Sequence, residues 1–205
     1  MPEKIIGLTK TQKLVKRSFD LVVALIGLLI VSPLILFGWI AAAISTKANG
    51  FFVQSRIGMD GKPFPLIKLR SMRAVKGVTT SVTSDTDVRI TKTGRVLRKL
   101  KLDELPQLFN VVLGQMSLVG PRPDVAGFAD ELQGDDRIVL SVRPGVTGPA
   151  SIAFRREEET LASVDDPEKY NREVIWPEKV RLNIDYIQNY SLGLDIKYIW
   201  QTAFG

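Results

Sequence analysis

The sequence contains no cysteine and no histidine among its 205 residues. Their absence excludes disulfides, thiol nucleophiles, Cys/His zinc sites and every Ser-His-Asp triad. Any chemistry must therefore use carboxylates, Lys or Arg, hydroxyl groups or a bound metal ion. The length fits one ordinary domain together with an additional segment.

Charged residues are missing from one long stretch, residues 21–44. This run, LVVALIGLLIVSPLILFGWIAAAI, would form a helix about 36 Å long, which exceeds the hydrocarbon thickness of a bilayer. The run is too long for a cleaved signal peptide, whose apolar region has about 7–15 residues. Residues 1–46 are therefore predicted to be a basic leader followed by a membrane helix.

Ser32 and Pro33 lie at the middle of the apolar run. Proline kinks or breaks a helix, and the Ser32 hydroxyl can bond a carbonyl that the proline leaves free. The proline would divide the run into two arms of about 18 Å. The first arm could enter the bilayer to its middle, and the second could return to the same side. Both flanks are basic, with 13 basic and three acidic residues over 47–101. The positive-inside rule therefore favours a re-entrant hairpin, while a kinked transmembrane span stays open.

Residues 47–205 have the pattern of a mostly helical α+β domain. Residues 51–57 and 64–69 flank a turn at 58–61 and predict a β-hairpin. Residues 77–93 predict an exposed loop, and Thr93 is expected to cap the helix that follows. A second helix is predicted over 103–112. Residues 180–200 fit an amphipathic helix at a membrane interface and ordinary core packing equally well.

The segment 100–123, LKLDELPQLFNVVLGQMSLVGPRP, carries the residues best suited to chemistry. Asp103 precedes an apolar helical pattern, with Glu104 and Pro106 in the first turn, and is predicted to be a helix N-cap. The same position would keep a carboxylate ionised for nucleophilic attack or metal ligation, because the helix dipole favours negative charge there. The cap and the catalytic role are both compatible with this pattern.

Arginines flank this acidic pair. Arg122 lies between Pro121 and Pro123, and a loop stiffened by two prolines would fix its guanidinium group for phosphate recognition. Upstream, Arg98 belongs to a basic group that also fits a solvated face near anionic lipid headgroups. A second turn segment begins at Arg143.

These motifs resemble the bacterial sugar transferases, or monotopic phosphoglycosyl transferases, which start glycan assembly on a polyprenol phosphate. The resemblance covers nearly the whole chain, through KRSFDLVVALIGLLIVSPL, FFVQSRIGMDGKPFPLIKLRSM, ITKTGRVLRKLKLDELPQLFNVVLGQMSLVGPRP, RPGVTG and DYIQNYSLGLDIKYIWQT. Without an additional amino-terminal membrane bundle, the sequence resembles the small form of the family.

The resemblance implies a role for each matching residue. It implies a re-entrant membrane helix broken at Ser32 and Pro33, and a nucleophile at Asp103 with Glu104 as its catalytic partner. Mg²⁺ is the implied cofactor, with Asp103 as a ligand. Arg98 and Arg122 would bind phosphate, and the candidates for a substrate loop are Pro121, Pro123 and Arg143.

The implied activity is transfer of a sugar-1-phosphate from a UDP-sugar to undecaprenyl phosphate, with release of UMP and a phosphosugar-aspartyl intermediate. The implied location is the cytoplasmic face of the bacterial inner membrane, at the first membrane step of glycan assembly. Membrane lipid and downstream glycosyltransferases are the further expected partners, and nucleic acid is not expected. Residues 149–156 depart from the Leu-Ala-Gln that many members have there, which leaves the sugar undetermined.

Two non-catalytic hypotheses compete with this one. The basic segment 47–101 could bind anionic lipid or nucleic acid, although its few aromatic residues supply poor stacking platforms. Alternatively, a single-span scaffold could bind a partner through its polar part.

Overall fold

The computed structural model describes residues 7–74 and 87–205. In chain order, its helices and strands are α1 (Lys10–Thr46), β1 (Phe51–Ile57), β2 (Pro63–Leu69), α2 (Lys92–Lys99), α3 (Gln107–Val112), β3 (Ser117–Val119), β4 (Gly145–Thr147), α4 (Pro149–Ala153), α5 (Glu157–Ala162), α6 (Pro167–Tyr170), α7 (Trp176–Gln188) and α8 (Leu192–Phe204). Short 3-10 helices occur at Met59–Gly61, Leu102–Glu104, Ala129–Glu131 and Gly134–Ser141, and α6 continues into α7 through a π-helical turn at Asn171–Ile175. The mostly helical α+β composition is confirmed.

Helix α1 is a single helical element that includes Pro33, so the predicted break of the helix at Ser32 and Pro33 is not confirmed. A capping box starts it, in which Thr9 Oγ1 accepts from the Gln12 amide and Gln12 Oε1 accepts from the Thr9 amide. Pro33 cannot donate to the Leu29 carbonyl, and the Ser32 hydroxyl donates to that carbonyl instead, at 3.2 Å. The predicted role of the Ser32 hydroxyl is therefore confirmed. By length and composition α1 could cross a membrane.

Both halves of α1 pack against the same globular part of the chain. In the first half, Asp20 Oδ1 accepts a hydrogen bond from the Leu118 amide, and Ala24 is buried in the main core. In the second half, Ala42 packs with Leu69 and Leu97 in a smaller cluster. Between these contacts, several large apolar side chains of α1 face outwards: Leu25, Ile26, Leu29, Ile30, Leu34, Leu36 and Phe37.

The predicted β-hairpin is confirmed. Strands β1 and β2 are antiparallel and pair from Phe51 opposite Leu69 to Ile57 opposite Pro63. The intervening turn contains Asp60 at φ 60° and Gly61 at φ 75°, a left-handed conformation that Asp and Gly tolerate better than most residues. In the first part of β2, Phe64 and Leu66 are buried while Pro63 and Pro65 are exposed, an alternation that fixes the register there.

A second pair of strands was not predicted from the sequence. Strands β3 and β4 are parallel, with Ser117 opposite Gly145, and they bring the two proline-containing turn segments side by side. Gly120 and Gly145 permit this approach, because a Cβ on Gly145 would lie 2.1 Å from the Gly120 amide nitrogen. The loop that contains Arg122 is therefore held to a buried sheet.

The beginning of α2 differs from the expectation. Thr91, rather than Thr93, is the N-cap, and its hydroxyl accepts a hydrogen bond from the Gly94 amide at 2.8 Å. The carbonyl of Ser71 approaches Gly94 so closely that no side chain fits there, which fixes this helix start against the end of the hairpin. Residues 77–86 of the predicted loop lie outside the described residues.

The carboxy-terminal helices combine the two alternatives left open by the sequence. Ile187 and Tyr190, at the end of α7 and just beyond it, are buried in the main core. On α8, Ile196, Trp200 and Phe204 are exposed at successive intervals of four residues and therefore share one face. The prediction of core packing is confirmed for Ile187 and Tyr190. Ile196, Trp200 and Phe204 instead form an exposed apolar stripe.

Candidate active site

Asp103 lies on the 3-10 turn Leu102–Glu104, between α2 and α3. Its carboxylate makes no capping hydrogen bond, and α3 begins only at Gln107, after Pro106. The predicted N-cap role is therefore wrong, because Asp103 lies within a 3-10 turn and Pro106 still precedes the first residue of the helix. The side chain is buried, and within the described part of the chain its Oδ1 atom has no hydrogen-bond partner. A buried carboxylate oxygen without a partner is costly and indicates a functional site.

Glu104 is held by two cations from different parts of the chain. Its Oε1 atom accepts from the Arg122 guanidinium group at 2.6 Å and from the Lys68 ammonium group at 3.2 Å. The Glu104 side chain is only 14% exposed, whereas that of Arg122 is 42% exposed. Arg122 can therefore contact a ligand from solvent while it remains anchored to Glu104.

The two neighbouring carboxyls have opposite pKa shifts. Burial and the negative charge of Glu104 raise the pKa of Asp103, although Lys68, Arg98 and Lys101 act in the other direction. Burial also acts to raise the pKa of Glu104, but Arg122 and Lys68 outweigh it and hold that pKa well below its usual range. Glu104 is thus a fixed negative charge, and Asp103 is the more basic carboxylate.

The structure brings most of the predicted site residues together. Arg98, in the last turn of α2, is close enough to lower the pKa of Asp103. Pro121 and Pro123 are buried on either side of Arg122, and the Pro121 carbonyl accepts from the Gly145 amide at 2.8 Å. These contacts fix the loop, as its two prolines predict.

Two other predicted groups make no described contact with Asp103 or Glu104. The guanidinium group of Arg143 donates from Nε to the Gly114 carbonyl at 2.8 Å, in the loop after α3. Its electrostatic neighbours are Arg17 and Asp20 of α1. Ser32 and Pro33 are exposed on α1. The hydrogen bond gives Arg143 a role in fixing the loop after α3.

Three polar residues near Glu104 and Arg122 were not identified from the sequence. Lys68 could have been found because it interrupts the apolar strand β2. Arg56 donates from Nη1 to the Pro123 carbonyl at 3.4 Å, and its buried Nε has no partner within the described residues. Burial raises the pKa of Asp124 to about 6, although neighbouring cations, including Arg56, lower it. Arg56, by contrast, is far from Arg122 in sequence, and only the tertiary structure brings the two together.

The described residues contain no group of three or more acidic side chains that could enclose a metal ion. A single carboxylate is nevertheless compatible with Mg²⁺, which is commonly bound by one or two carboxylates together with substrate phosphates and water. The unpartnered Oδ1 of Asp103 has the required chemistry. Asp103 therefore fits a ligand of Mg²⁺, and substrate phosphates and water would have to complete the coordination.

Comparison with known proteins gives a match to a family model described as bacterial sugar transferase over residues 11–205. The chain belongs to the bacterial sugar transferase family. It is 36% identical over 203 residues to the UDP-glucose:undecaprenyl-phosphate glucose-1-phosphate transferase of Escherichia coli (strain K12), a match that covers 96% of this chain and 41% of that protein. Family membership and the long apolar helix α1 indicate association with a membrane.

Two further relatives show the range of the family. The sugar transferase EpsL of Bacillus subtilis (strain 168) is 36% identical over 190 residues, covering 93% of this chain and 86% of that protein. The UDP-N-acetylgalactosamine-undecaprenyl-phosphate N-acetylgalactosaminephosphotransferase of Aeromonas hydrophila is 33% identical, covering 92% of this chain and 42% of that protein. The chain thus spans about two fifths of the length of the Escherichia coli and Aeromonas proteins.

Proposed function

We propose that this protein transfers a sugar-1-phosphate from a UDP-sugar to undecaprenyl phosphate and releases UMP. The observation that carries the proposal is the buried Asp103 carboxylate, which has an unpartnered oxygen beside Glu104 and its two cations. The names of the Escherichia coli and Aeromonas relatives supply the classes of donor and acceptor. The sugar stays open, since those two names specify different sugars.

In the first step, a carboxylate oxygen of Asp103 attacks the β-phosphorus of the UDP-sugar. A new O–P bond forms, the bond from that phosphorus to the bridging oxygen breaks, and UMP leaves with this oxygen. The product is a phosphosugar joined to Asp103. The raised pKa of Asp103 favours this role, because a more basic carboxylate is the better nucleophile once ionised.

In the second step, a phosphate oxygen of undecaprenyl phosphate attacks the same phosphorus. The bond to Asp103 breaks, the carboxylate is restored, and undecaprenyl diphosphate-sugar is formed. Neither step requires a histidine base, because Asp103 reacts as its carboxylate and the acceptor phosphate is anionic near neutral pH. Arg122 and Arg98 would bind the phosphates and stabilise the charge at phosphorus. Mg²⁺ held at Asp103 would supply further charge neutralisation.

The membrane topology proposed here is a re-entrant α1, with both flanks on the cytoplasmic side. It is supported by the packing of both halves of α1 against one globular part and by the basic charge of both flanks. The exposed stripe Ile196, Trp200 and Phe204 would rest at the interface and hold Asp103 near the acceptor headgroup. Single cysteines introduced at Pro2 and Gly205 should be labelled from the same side. Labelling from opposite sides would disprove the hairpin.

Catalysis is favoured over a basic binding module because arginines of the segment 47–101 bind the protein's own backbone. Arg70 donates to the carbonyls of Asn49 and Phe51, and Arg73 donates to the carbonyl of Ser45. Their donors are already partly used inside the protein. A gel-shift assay at modest salt should accordingly show no nucleic-acid complex at micromolar protein.

The direct test measures UMP release from purified protein in nanodiscs, with Mg²⁺, undecaprenyl phosphate and a panel of UDP-sugars. We expect release with at least one sugar and none from Asp103→Asn, which keeps the size of the side chain but loses the anionic oxygen. Asp60→Asn, on the exposed hairpin turn, is the matched control and should keep full activity. Turnover by Asp103→Asn would remove Asp103 as the nucleophile.

A further inference from the structure

An apolar groove of about 350 Å³ lies between the second half of α1 and the globular part of the chain. It is lined by Ser32, Ile35, Leu36, Trp39, Phe51 and Phe109. The Ser32 hydroxyl donates to the Leu29 carbonyl, and the Trp39 indole donates to Asn49 Oδ1 at 3.2 Å. The groove therefore presents hydrocarbon to a ligand, because its two side-chain donors are already engaged.

The groove adjoins the candidate active site. Leu102, which precedes Asp103, packs in the same cluster as Trp39 and Phe51, two of the residues that line the groove. Phe109 lies on α3, which begins three residues after Glu104. The lining of the groove is therefore linked through Leu102 and α3 to the segment that carries both carboxylates, and Lys68 and Arg122 supply positive charge at Glu104.

The other feature of the groove is its access to the outer face of α1. Leu36 lines the groove and is 56% exposed, and Phe37 beside it is exposed as well. If this face of α1 lies in lipid, a hydrocarbon chain can enter sideways without crossing water. A UDP-sugar has no hydrocarbon that would fit such a surface.

We propose that this groove binds the isoprenoid units nearest the phosphate of the polyprenyl phosphate acceptor. This inference rests on the proposed function and assigns a place to the acceptor tail. Its anionic headgroup would meet the cations near Asp103, while the adjoining units of the tail would replace lipid along Leu36, Trp39 and Phe109. A groove joined to a cationic site matches an amphiphile with one anionic head and one uncharged chain.

The test compares two leucines of α1 with similar exposure. Leu36→Gln places a polar side chain in the groove, whereas Leu34→Gln makes the same change on a residue that does not line it. Leu34 is 50% exposed, against 56% for Leu36. Each variant is placed in nanodiscs and assayed with undecaprenyl phosphate and with a polyprenyl phosphate of three isoprene units.

Leu36→Gln should raise KM for undecaprenyl phosphate about tenfold, the change expected when roughly two methylene-sized contacts are lost. Leu34→Gln should change it less than twofold. Exchange of labelled UMP into the UDP-sugar requires no acceptor and should be unaffected in both variants. An unchanged KM in Leu36→Gln, or an equal change in both variants, would overturn the proposal.

A second measurement separates this proposal from the proposed function. A polyprenyl phosphate with a photoreactive group on its second isoprene unit should crosslink to residues of the groove, and excess undecaprenyl phosphate should prevent the crosslink. Equal competition by phosphatidylglycerol would mean that the groove takes any lipid chain, and would overturn the proposal. If wild-type protein shows no UMP exchange with any sugar but the selective crosslink persists, the proposed activity fails and the groove assignment stands.

Discussion

Replacing Lys16 by methionine should destabilise the protein strongly and in a pH-dependent way. The Lys16 ammonium group lies 2.6 Å from Asp195 Oδ2, and the two side chains are 7% and 0% exposed. The Tyr186 hydroxyl donates to the other oxygen of Asp195 at 2.5 Å. This buried pair joins the start of α1 to α8, so Lys16→Met would leave a buried carboxylate with one donor and no cation.

The size of the effect is limited by protonation of Asp195. Burial raises the pKa of this carboxyl, and Lys16 is the largest influence in the opposite direction. Breaking a buried pair costs about 3–5 kcal/mol. However, neutralising an aspartate of ordinary pKa 3.8 costs only about 1.4 kcal/mol per pH unit. The loss in Lys16→Met should therefore not exceed about 4 kcal/mol at pH 7 or about 2 kcal/mol at pH 5.

The sign of the pH dependence follows from proton uptake. In Lys16→Met the folded state would keep a proton on Asp195 that the unfolded state releases above pH 3.8, so the stability of the variant falls relative to wild type as pH rises. Thermal unfolding in one detergent should show a Tm about 10 °C lower at pH 7 and a smaller difference at pH 5. The double variant Lys16→Met/Asp195→Asn should recover at least half of the loss. A deficit independent of pH, or equal to that of the exposed control Lys13→Met, would refute this reasoning.

Two other predictions concern the site, and a third concerns the start of α2. The acid limb of the pH–rate profile for UMP exchange should lie above pH 3.8, because the pKa of Asp103 is raised, and Lys68→Met should move it higher; a limb at the ordinary aspartate value would contradict the assignment. Arg122→Met should reduce kcat/KM about 10²–10³-fold in steady-state assays, with partial recovery in Arg122→Lys, and an unchanged value would exclude a role in phosphate binding. Gly94→Ala should lower Tm strongly, because its Cβ would lie 1.9 Å from the Ser71 carbonyl oxygen, whereas an unchanged melting curve would show that α2 can move.

Patterns formed by residues that are close together in sequence predicted the local structure well. The apolar run and its basic flanks indicated α1, and the turn at residues 58–61 indicated the hairpin, because both depend on neighbouring residues. The cap prediction for Asp103 failed for a related reason. A cap is recognised from the residues that follow it, and the 3-10 turn and Pro106 delay α3 by several residues.

Contacts between distant segments could not be predicted in the same way. The parallel pairing of β3 with β4 joins residues 117–119 to residues 145–147, and it depends on close backbone approach at two glycines. The two cations on Glu104 come from β2 and from the loop after β3. Arg122 was identified because two prolines flank it, whereas Lys68 resembled one more basic residue in a basic segment.

The covalent intermediate on Asp103 can be tested most directly by intact-protein mass spectrometry. Wild-type protein mixed with the active UDP-sugar and Mg²⁺, without acceptor, should gain the mass of one sugar phosphate. Peptide mapping should place it on Asp103, and added undecaprenyl phosphate should remove it. Asp103→Asn should gain no mass under the same conditions. UMP release without an adduct in rapidly quenched wild-type samples, or an adduct on another residue, would contradict the proposed mechanism.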